Sequence, residues 1–436
     1  MKKLTIAALV IGVALMLAVP AGAVDIAWDG YLRVRGYLEK DATMADQIDG
    51  RQADSYNAYY DMRWRTNWTL TVNDYLRIRS RWRALNQNGG DNSDNARGGA
   101  QNFQFERAWM LVQTPYGLFE AGRMITKTFG TTFLDAEDDI YRLNFNTKLA
   151  DKVVLVLTAQ KAAEGDGGDN NPDNRWTMGD NDTDIYGFAL VYPTQNWSIG
   201  SLQVLLRSSV PDTGNITRYS ANPYFTGKFG NLALQAEGQF YAGDGTDTAA
   251  GKDTKYKAYA FNAEGTYDLG MAAVQLGFAY CSGDKDPTDG DIENLPLGSD
   301  WEKFYILFGT TGNMYEDLGG IGNFATDGNT AGFTTIYGGV TTNLTEQLNV
   351  GLSAAWCQAN EPQKFTGTNN EFDDAAGVEV DLRINWTFYD NLTYSVIGAY
   401  LFAGDFWKDS AEGVYGVNNV DSSNPWALFH ALQLNF

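Results

Sequence analysis

Polar and apolar residues alternate along much of the chain with a period of two residues. The clearest stretch, from Tyr75 to Arg83, carries an arginine at every second position, with mostly apolar residues between them. Successive side chains of a strand point to opposite faces of the sheet. One face of this segment would therefore carry guanidinium groups while the other is largely apolar, so the pattern predicts a β-strand.

The same alternation recurs in segments 31–35, 62–65, 201–207, 232–240 and 378–386. In segment 201–207 the apolar face consists of Leu202, Val204 and Leu206, and the polar face of Ser201, Gln203 and Arg207. A soluble sheet buries its apolar face against a core, whereas a membrane barrel turns it to lipid and its polar face to a wet lumen. Beyond the first residues no apolar run reaches the roughly 20 residues of a membrane helix. Because lipid admits only helices or closed barrels, we predict an all-β transmembrane barrel whose apolar positions face lipid.

Short turns and long polar connections alternate along the predicted strands. The short turns are Asn73-Asp74, Pro115-Tyr116-Gly117, Leu149-Ala150-Asp151, Thr194-Gln195-Asn196, Phe229-Gly230-Asn231, Asp268-Leu269-Gly270, Asn343-Leu344-Thr345-Glu346 and Tyr389-Asp390-Asn391. Gly, Asn, Asp and Pro provide the backbone geometry of such turns. Eight hairpins, a first strand from Ile26 to Leu38 and a last strand from Trp426 to Phe436 give about 18 antiparallel strands, with short periplasmic turns and long external loops. Sixteen strands are the alternative.

Two segments leave the strand assignment open. Trp301 to Phe308 resembles a strand, but we place it in one long external loop, Asp284 to Thr330, that folds inward or caps the pore. Between Phe103 and Val112, Glu106 and Arg107 are adjacent, so one of them must break the alternation. The register of this strand is not determined by the sequence.

The two ends of the chain predict export and membrane assembly. Lys2 and Lys3 precede an apolar run to Val19 and the small residues Ala21-Gly22-Ala23, the pattern of a cleaved signal peptide. We expect residues 1–23 to be removed and residues 24–436 to form a single barrel domain; an uncleaved membrane anchor is the alternative. The last strand ends on Phe436, and this aromatic end is similar to the C-terminal signal that the outer-membrane barrel-assembly machinery reads.

Composition agrees with a barrel and offers little for catalysis. The chain has 47 Gly, 14% aromatic residues and a net charge of −22, much of it in the loops. Cys281 and Cys357 fall two strands apart, so we expect no disulfide, and the only histidine, His430, falls on an apolar strand face. There is no nucleophile elbow, P-loop or zinc spacing. We therefore expect no enzymatic activity, no cofactor and no metal site.

Charged residues on the predicted lumen face are the candidate pore lining. Guanidinium groups stay protonated and bind carboxylate or phosphate in fork geometry, and clusters of arginine in a pore select for anions. If acids of the later strands faced the arginines, a transverse field would cross the pore. In the alternative interpretation the arginines pair with acids such as Asp61 and Glu39, and the acids are ordinary polar lining. The candidates are Arg33, Arg35, Arg63, Arg65, Arg77, Arg79, Arg81, Arg83, Asp61, Glu237, Glu264, Glu379, Asp381 and Arg383.

The mature chain resembles Gram-negative outer-membrane porins. The signal peptide, the Phe436 terminus and the strand–turn–strand from Arg107 to Arg123, with its Pro-aromatic-Gly turn and following Gly-Arg, carry this resemblance. The arginine-rich lumen and the strand count also resemble the 18-stranded alginate-export family. The resemblance implies location in the outer membrane, contact with lipid and with the barrel-assembly machinery, and small polar or anionic solutes. Assembly with further copies of the chain stays open, and no nucleic-acid partner is expected.

These observations predict a passive outer-membrane channel for small polar, preferentially anionic solutes. The alternatives are an export pore for an acidic polysaccharide, a barrel that sheathes a periplasmic electron-carrying partner, and a soluble periplasmic β-protein. Conductance of the purified protein would indicate a channel, and block by acidic oligosaccharides would indicate the export pore. Copurification of a haem protein would indicate the sheath, and resistance to alkaline extraction from membranes would exclude the soluble protein.

Overall fold

The chain forms a closed, all-antiparallel barrel of 18 strands in the computed structural model. The structure describes residues 24–41, 47–48, 51–52, 56–89, 103–126, 129–133, 135, 138–163, 182–210, 214–247, 252–286, 289–295, 301, 303–308, 331–362, 371–409 and 420–436. The predicted signal peptide, residues 1–23, lies outside the described residues.

Each barrel strand pairs with its neighbours in the sequence, and β1 pairs with both β4 and β20, which closes the ring. The short strands β2 and β3 form a separate hairpin. The strands are β1 Asp25–Lys40, β2 Gln47–Ile48, β3 Arg51–Gln52, β4 Tyr56–Asn73, β5 Leu76–Gly89, β6 Phe103–Thr114, β7 Gly117–Ile125, β8 Asp139–Ala150, β9 Val153–Ala163, β10 Thr183–Pro193, β11 Trp197–Val210, β12 Gly214–Phe229, β13 Leu232–Asp247, β14 Lys252–Asp268, β15 Ala272–Cys281, β16 Phe333–Asn343, β17 Leu348–Ala359, β18 Ala375–Tyr389, β19 Leu392–Ala403 and β20 Trp426–Asn435.

The predicted strand count and hairpins are confirmed. All eight predicted short turns join consecutive barrel strands, from the β4–β5 turn after Asn73 to the β18–β19 turn after Tyr389. The barrel has 18 strands, so the sixteen-strand alternative is wrong. The described residues between 301 and 308 form turns rather than a strand, in agreement with their placement in the β15–β16 connection.

The two faces of the barrel wall differ in character. The inner face contacts the connections that fold into the barrel, whereas the outer face exposes large apolar side chains such as Ile78, Leu382 and Trp386. No helix among the described residues is long and apolar enough to cross a membrane.

Strand β11 departs from the predicted orientation. Leu202 lies opposite the buried Asn222, and Ser201 lies opposite the exposed Leu190, so Leu202, Val204 and Leu206 face inward. The expectation that the apolar positions of this strand face lipid is wrong. Gln203 donates a hydrogen bond to Ser201 (Nε2–Oγ 2.6 Å), so the polar pair on the outer face partly satisfies itself.

A β-bulge resolves the open register of β6. The pairing with β5 shifts between Arg81 and Trp82, where Arg81 lies opposite Arg107 and Trp82 opposite Phe105. The extra residue lets adjacent side chains share a face. Both Glu106 and Arg107 are therefore buried on the inner face.

A hydrophobic core lies inside the barrel, on one side of the lumen. Segment 301–308 packs there through Trp301, Phe304, Ile306, Leu307 and Phe308, all at most 3% exposed. The wall beneath them presents small side chains, which make room for the segment; these include Ala258, Ala260, Ala279, Cys281, Ala355, Cys357, Ala359, Ala376, Ala399 and Ala427.

Candidate functional site

Eight of the nine predicted pore-lining arginines, those between Arg33 and Arg83, lie on the inner face of three adjacent strands, β1, β4 and β5. Arg33 of β1 lies opposite Arg63 of β4, and Arg65 of β4 lies opposite Arg83 of β5. Strand alternation places the remaining arginines of β5 on the same face. We call this set the arginine wall: Arg33, Arg35, Arg63, Arg65, Arg77, Arg79, Arg81 and Arg83.

Part of the arginine wall is paired. Arg35 forms a two-point ion pair with Asp61 (Nε–Oδ1 2.7 Å). Glu106 accepts a hydrogen bond from Arg65 (Nη2–Oε1 2.9 Å) and forms an ion pair with Arg83 (Nη1–Oε1 3.1 Å). These contacts agree with the alternative in which the arginines pair with acids of the barrel, although Glu106 was not among the acids predicted.

Two other members of the arginine wall, Arg33 and Arg79, have nitrogen atoms that are not satisfied in this way. The Nε and Nη2 atoms of Arg33 and the Nε atom of Arg79 are buried without a hydrogen-bond acceptor among the described residues. Arg77 is exposed. Arg33 and Arg63 lie directly opposite one another, and like charges in that position repel.

The predicted acids of β18 hold the backbone of segment 301–308. Glu379 is fully buried and accepts the N–H groups of Ile306 and Leu307, both at 2.6 Å. Asp381 accepts the N–H group of Tyr305 at 3.2 Å. Three consecutive backbone donors thus meet two carboxylates, which fixes the segment against the wall.

Two further predicted acids also contact the connections inside the barrel. Glu264 binds Lys303 (Nζ–Oε2 2.7 Å) and accepts from Tyr337 (Oη–Oε2 2.8 Å). Glu237 accepts the Thr131 N–H group at 3.0 Å and its hydroxyl.

The last predicted pore-lining residue, Arg383, lies over the ring of Tyr305, 5.6 Å from its centroid. We call the four carboxylates Glu237, Glu264, Glu379 and Asp381 the acidic anchors.

The β7–β8 connection also enters the barrel and meets segment 301–308. Phe133 is fully buried, and its ring packs edge-on against Trp301 with centroids 5.2 Å apart. Gly130 rests on the ring of Tyr224 with a φ of +85°, where a Cβ would lie 2.6 Å from Cγ of that ring. Only glycine fits both this backbone conformation and this close approach.

The sequence interpretation missed the β7–β8 connection as part of the site. The signal was present on the inner face of β14, where Ala258 and Ala260 occupy positions that a wet lumen would fill with polar residues. Small apolar residues at lumen positions indicate that another segment packs on them. The acidic Glu106 and the basic Arg107, which pairs with Asp139, were also missed as lining residues.

The remaining predicted residues lie as follows. Cys281 and Cys357 are free and buried on opposite sides of β16, so the expected lack of a disulfide is confirmed. His430 lies on the outer face between the rings of Tyr60 and Tyr394. Phe436 exchanges two backbone hydrogen bonds with Gly30, at 2.9 and 3.0 Å, while its role as an assembly signal stays a prediction.

Solved structures of outer-membrane proteins share this fold. OpdL of Pseudomonas aeruginosa matches with a TM-score of 0.55 and 10% identity over 94% of this chain and 99% of that chain. The outer membrane protein opdK of the same species matches with a TM-score of 0.54 and 10% identity over 94% and 99%. OccAB4 of Acinetobacter baumannii matches with a TM-score of 0.51 and 12% identity over 94% and 98%. No family model and no curated protein sequence matches the chain.

Proposed function

We propose that this chain is an outer-membrane porin through which small polar, preferentially anionic solutes diffuse along the arginine wall. Its fold is that of outer-membrane proteins, and its outer face is apolar, which supports a transmembrane channel in that membrane. The anionic preference is supported by a difference in hydrogen-bond partners between the arginines and the acids of the inner face. Arg33 and Arg79 have buried nitrogen atoms without acceptors in the described part of the chain, whereas Glu379 and Asp381 are occupied by backbone donors.

The connections inside the barrel favour small solutes over the alternatives. Segment 301–308 fills one side of the lumen with a packed apolar core, which narrows the passage. A polysaccharide or a protein partner would need a wider cross-section, so the export pore and the protein sheath are less well supported.

Single-channel recording in planar bilayers tests the proposal with the double variant Arg79→Glu, Arg81→Glu. We expect the reversal potential in a salt gradient to move towards cation preference, because two positive charges on the inner face become negative. A matched control is Lys255→Glu, Lys257→Glu, which changes the net charge equally on exposed positions of the outer face of β14. We expect this control to keep the wild-type preference.

Two results would contradict the proposal. An unchanged reversal potential in the Arg79→Glu, Arg81→Glu variant would remove the arginine wall from permeation. Purified wild-type protein that inserts into bilayers without conducting would remove the channel itself.

A further inference from the structure

Most side chains of segment 301–308 point away from the passage. The five core residues of this segment, from Trp301 to Phe308, are at most 3% exposed and pack on the barrel wall. Of the residues that the structure describes in this segment, only Lys303 and Tyr305 keep part of their surface exposed. Because the segment lies inside the barrel, that surface faces the lumen. Lys303 and Tyr305 therefore border the passage on this side.

Lys303 and Tyr305 differ in the groups that hold them. The Lys303 Nζ atom lies 2.7 Å from Oε2 of Glu264 on β14, so a carboxylate neutralises its charge. The Tyr305 ring stacks on Phe429 of β20, with ring centroids 6.2 Å apart. The guanidinium carbon of Arg383 on β18 lies 5.6 Å from the centroid of the same Tyr305 ring. The Tyr305 ring therefore contacts β18 on one side and β20 on the other.

Arg383 belongs to a row of directly opposite residues on the inner face. From β18 to β1 the row consists of Arg383, Ile397, Phe429 and Tyr37. Ile397 and Phe429 are at most 4% exposed, and Tyr305 packs against the cluster that they form with Tyr37. Arg383 lies about 14 Å from Tyr37 along the wall, at about 4.8 Å for each of three strands. Arg383 is therefore a cation on the far side of the Tyr305 ring from the arginine wall.

The Arg383 guanidinium group keeps its charge open to the lumen. Arg383 is exposed, and no carboxylate in the described part of the chain forms an ion pair with it. Asp381, the neighbouring acid on the same strand face, is 4% exposed and accepts the Tyr305 N–H group at 3.2 Å. An aromatic ring attracts a cation through its quadrupole. The Tyr305 ring can therefore hold the guanidinium group in place without neutralising it, as a carboxylate would.

We propose that Arg383 and Tyr305 form an anion subsite of the lumen that is distinct from the arginine wall. Arg383 binds the passing anion, and Tyr305 is a positioning residue that acts through the guanidinium group. The ligands of the subsite are small oxyanions, because paired oxygen atoms match the paired N–H donors of a guanidinium group. The inference rests on the proposed anion channel and adds a second anion contact to it.

Reversal potentials of the purified barrel in a potassium acetate gradient test the subsite with acetate as the probe. We expect Arg383→Gln to lower the permeability ratio of acetate to potassium about fivefold, the Boltzmann factor for one unit charge about 4 Å from an ion in water. The ratio of chloride to potassium should fall less, because chloride has no paired oxygen atoms. Arg207→Gln is the matched control, since it removes the same charge from an exposed position on the outer face of β11. It should keep both wild-type ratios.

Substitutions of Tyr305 test the positioning role without releasing segment 301–308, because the N–H group that binds Asp381 belongs to the backbone. Tyr305→Phe keeps an aromatic face and should keep the wild-type acetate ratio, whereas Tyr305→Leu should lower it. In the double variant Tyr305→Leu, Arg383→Gln the ratio should equal that of Arg383→Gln alone, because Tyr305 acts only through the guanidinium group.

Tyr400→Leu is the matched control for the loss of a ring, since Tyr400 is 38% exposed on the outer face of β19. It should keep the wild-type acetate ratio. Heat-modifiable migration in gels verifies that each variant forms a closed barrel.

Three results would overturn the proposal. They are a wild-type acetate ratio in Arg383→Gln, an equal fall of the acetate and chloride ratios in that variant, and additive effects of Tyr305→Leu and Arg383→Gln. Failure of the subsite is distinguishable from failure of the channel. If Arg383→Gln kept the wild-type ratio while Arg79→Glu, Arg81→Glu moved the reversal potential, the subsite would be refuted and the anion channel retained.

Discussion

Two regions of the inner face carry opposite charges and use them in different ways. On the arginine wall Arg77 is exposed and Arg33 and Arg79 have buried nitrogen atoms without acceptors among the described residues. Among the acidic anchors, Glu379 is fully buried and Asp381 is 4% exposed, and both accept backbone N–H groups. The sign of a charge on the inner face does not determine its role, whereas its burial and its partners do.

This difference changes the expected electrostatics of the lumen. Carboxylates on the opposite wall would set up a field across the pore if they were open to the lumen. Backbone donors and Lys303 lie against the acidic anchors instead, which lowers their effect on a passing ion. If the barrel conducts as proposed, we expect the arginine wall to dominate the electrostatic potential along the passage.

Among variants that compare the arginine wall with the acidic anchors, we expect Glu379→Ala to change stability and conductance the most. Two buried N–H groups, those of Ile306 and Leu307, lose their acceptor, which should cost about 2–6 kcal/mol of unfolding free energy at roughly 1–3 kcal/mol for each buried unsatisfied donor. Segment 301–308 should leave the wall, so the single-channel conductance should rise and become noisier. Urea unfolding in micelles and planar-bilayer recording measure the two effects.

Controls for this variant are available in the same chain. Glu379→Gln keeps one acceptor oxygen and should show a smaller change of both quantities, while Glu346→Ala in an exposed short turn should show none. If Glu379→Ala conducted like the wild type, Glu379 would not hold the segment.

We expect a smaller difference in stability between two variants of the arginine wall, one at the ion-paired Arg35 and one at Arg79. Arg35→Gln leaves Asp61 without its ion pair and should cost about 1–3 kcal/mol of unfolding free energy. Arg79→Gln should cost less than about 0.5 kcal/mol but should reduce anion preference. Unfolding curves and reversal potentials of both variants test whether Arg35 contributes mainly to stability and Arg79 mainly to ion preference. An equal loss of stability in the two variants would contradict this assignment.

We expect the smallest change in stability from a substitution in the β7–β8 connection. Gly130→Ala and Gly270→Ala share the cost of a positive φ, at +85° and +87°, but only the first adds a methyl group against a ring, that of Tyr224. Gly130→Ala should therefore be less stable than Gly270→Ala by about 1 kcal/mol, at the low end of the cost of overpacking. Equal stability of the two variants would show that the contact between Gly130 and Tyr224 does not constrain the connection.

The barrel itself was largely predictable from the sequence. Period-two alternation and turn residues gave the eight hairpins and the count of 18, because each depends on neighbours in the sequence. The face of β11 was predicted wrongly, since Leu202 faces the lumen and Arg207 the outside. Polar residues on an outer face can satisfy each other, as Ser201 and Gln203 do, and a pattern of polarity does not reveal this.

The placement of the connections was less predictable. Segment 301–308 resembles a strand in the sequence, yet its described residues pack as turns inside the barrel. Its position depends on Glu379 and Asp381, more than 70 residues later in the sequence. Such pairings between distant residues leave no periodic signal, apart from the small side chains at Ala258 and Ala260 that receive the segment.

The seam between β1 and β20 has a kinetic consequence. Every other adjacent pair of barrel strands is joined by the chain between them, but Tyr31 lies opposite Asn435, at the two ends of the folded sequence. Closing the longest loop carries the largest entropic cost of any pairing in the molecule. The sheet can grow hairpin by hairpin, and the ring is then sealed in one late step that joins its first and last strands.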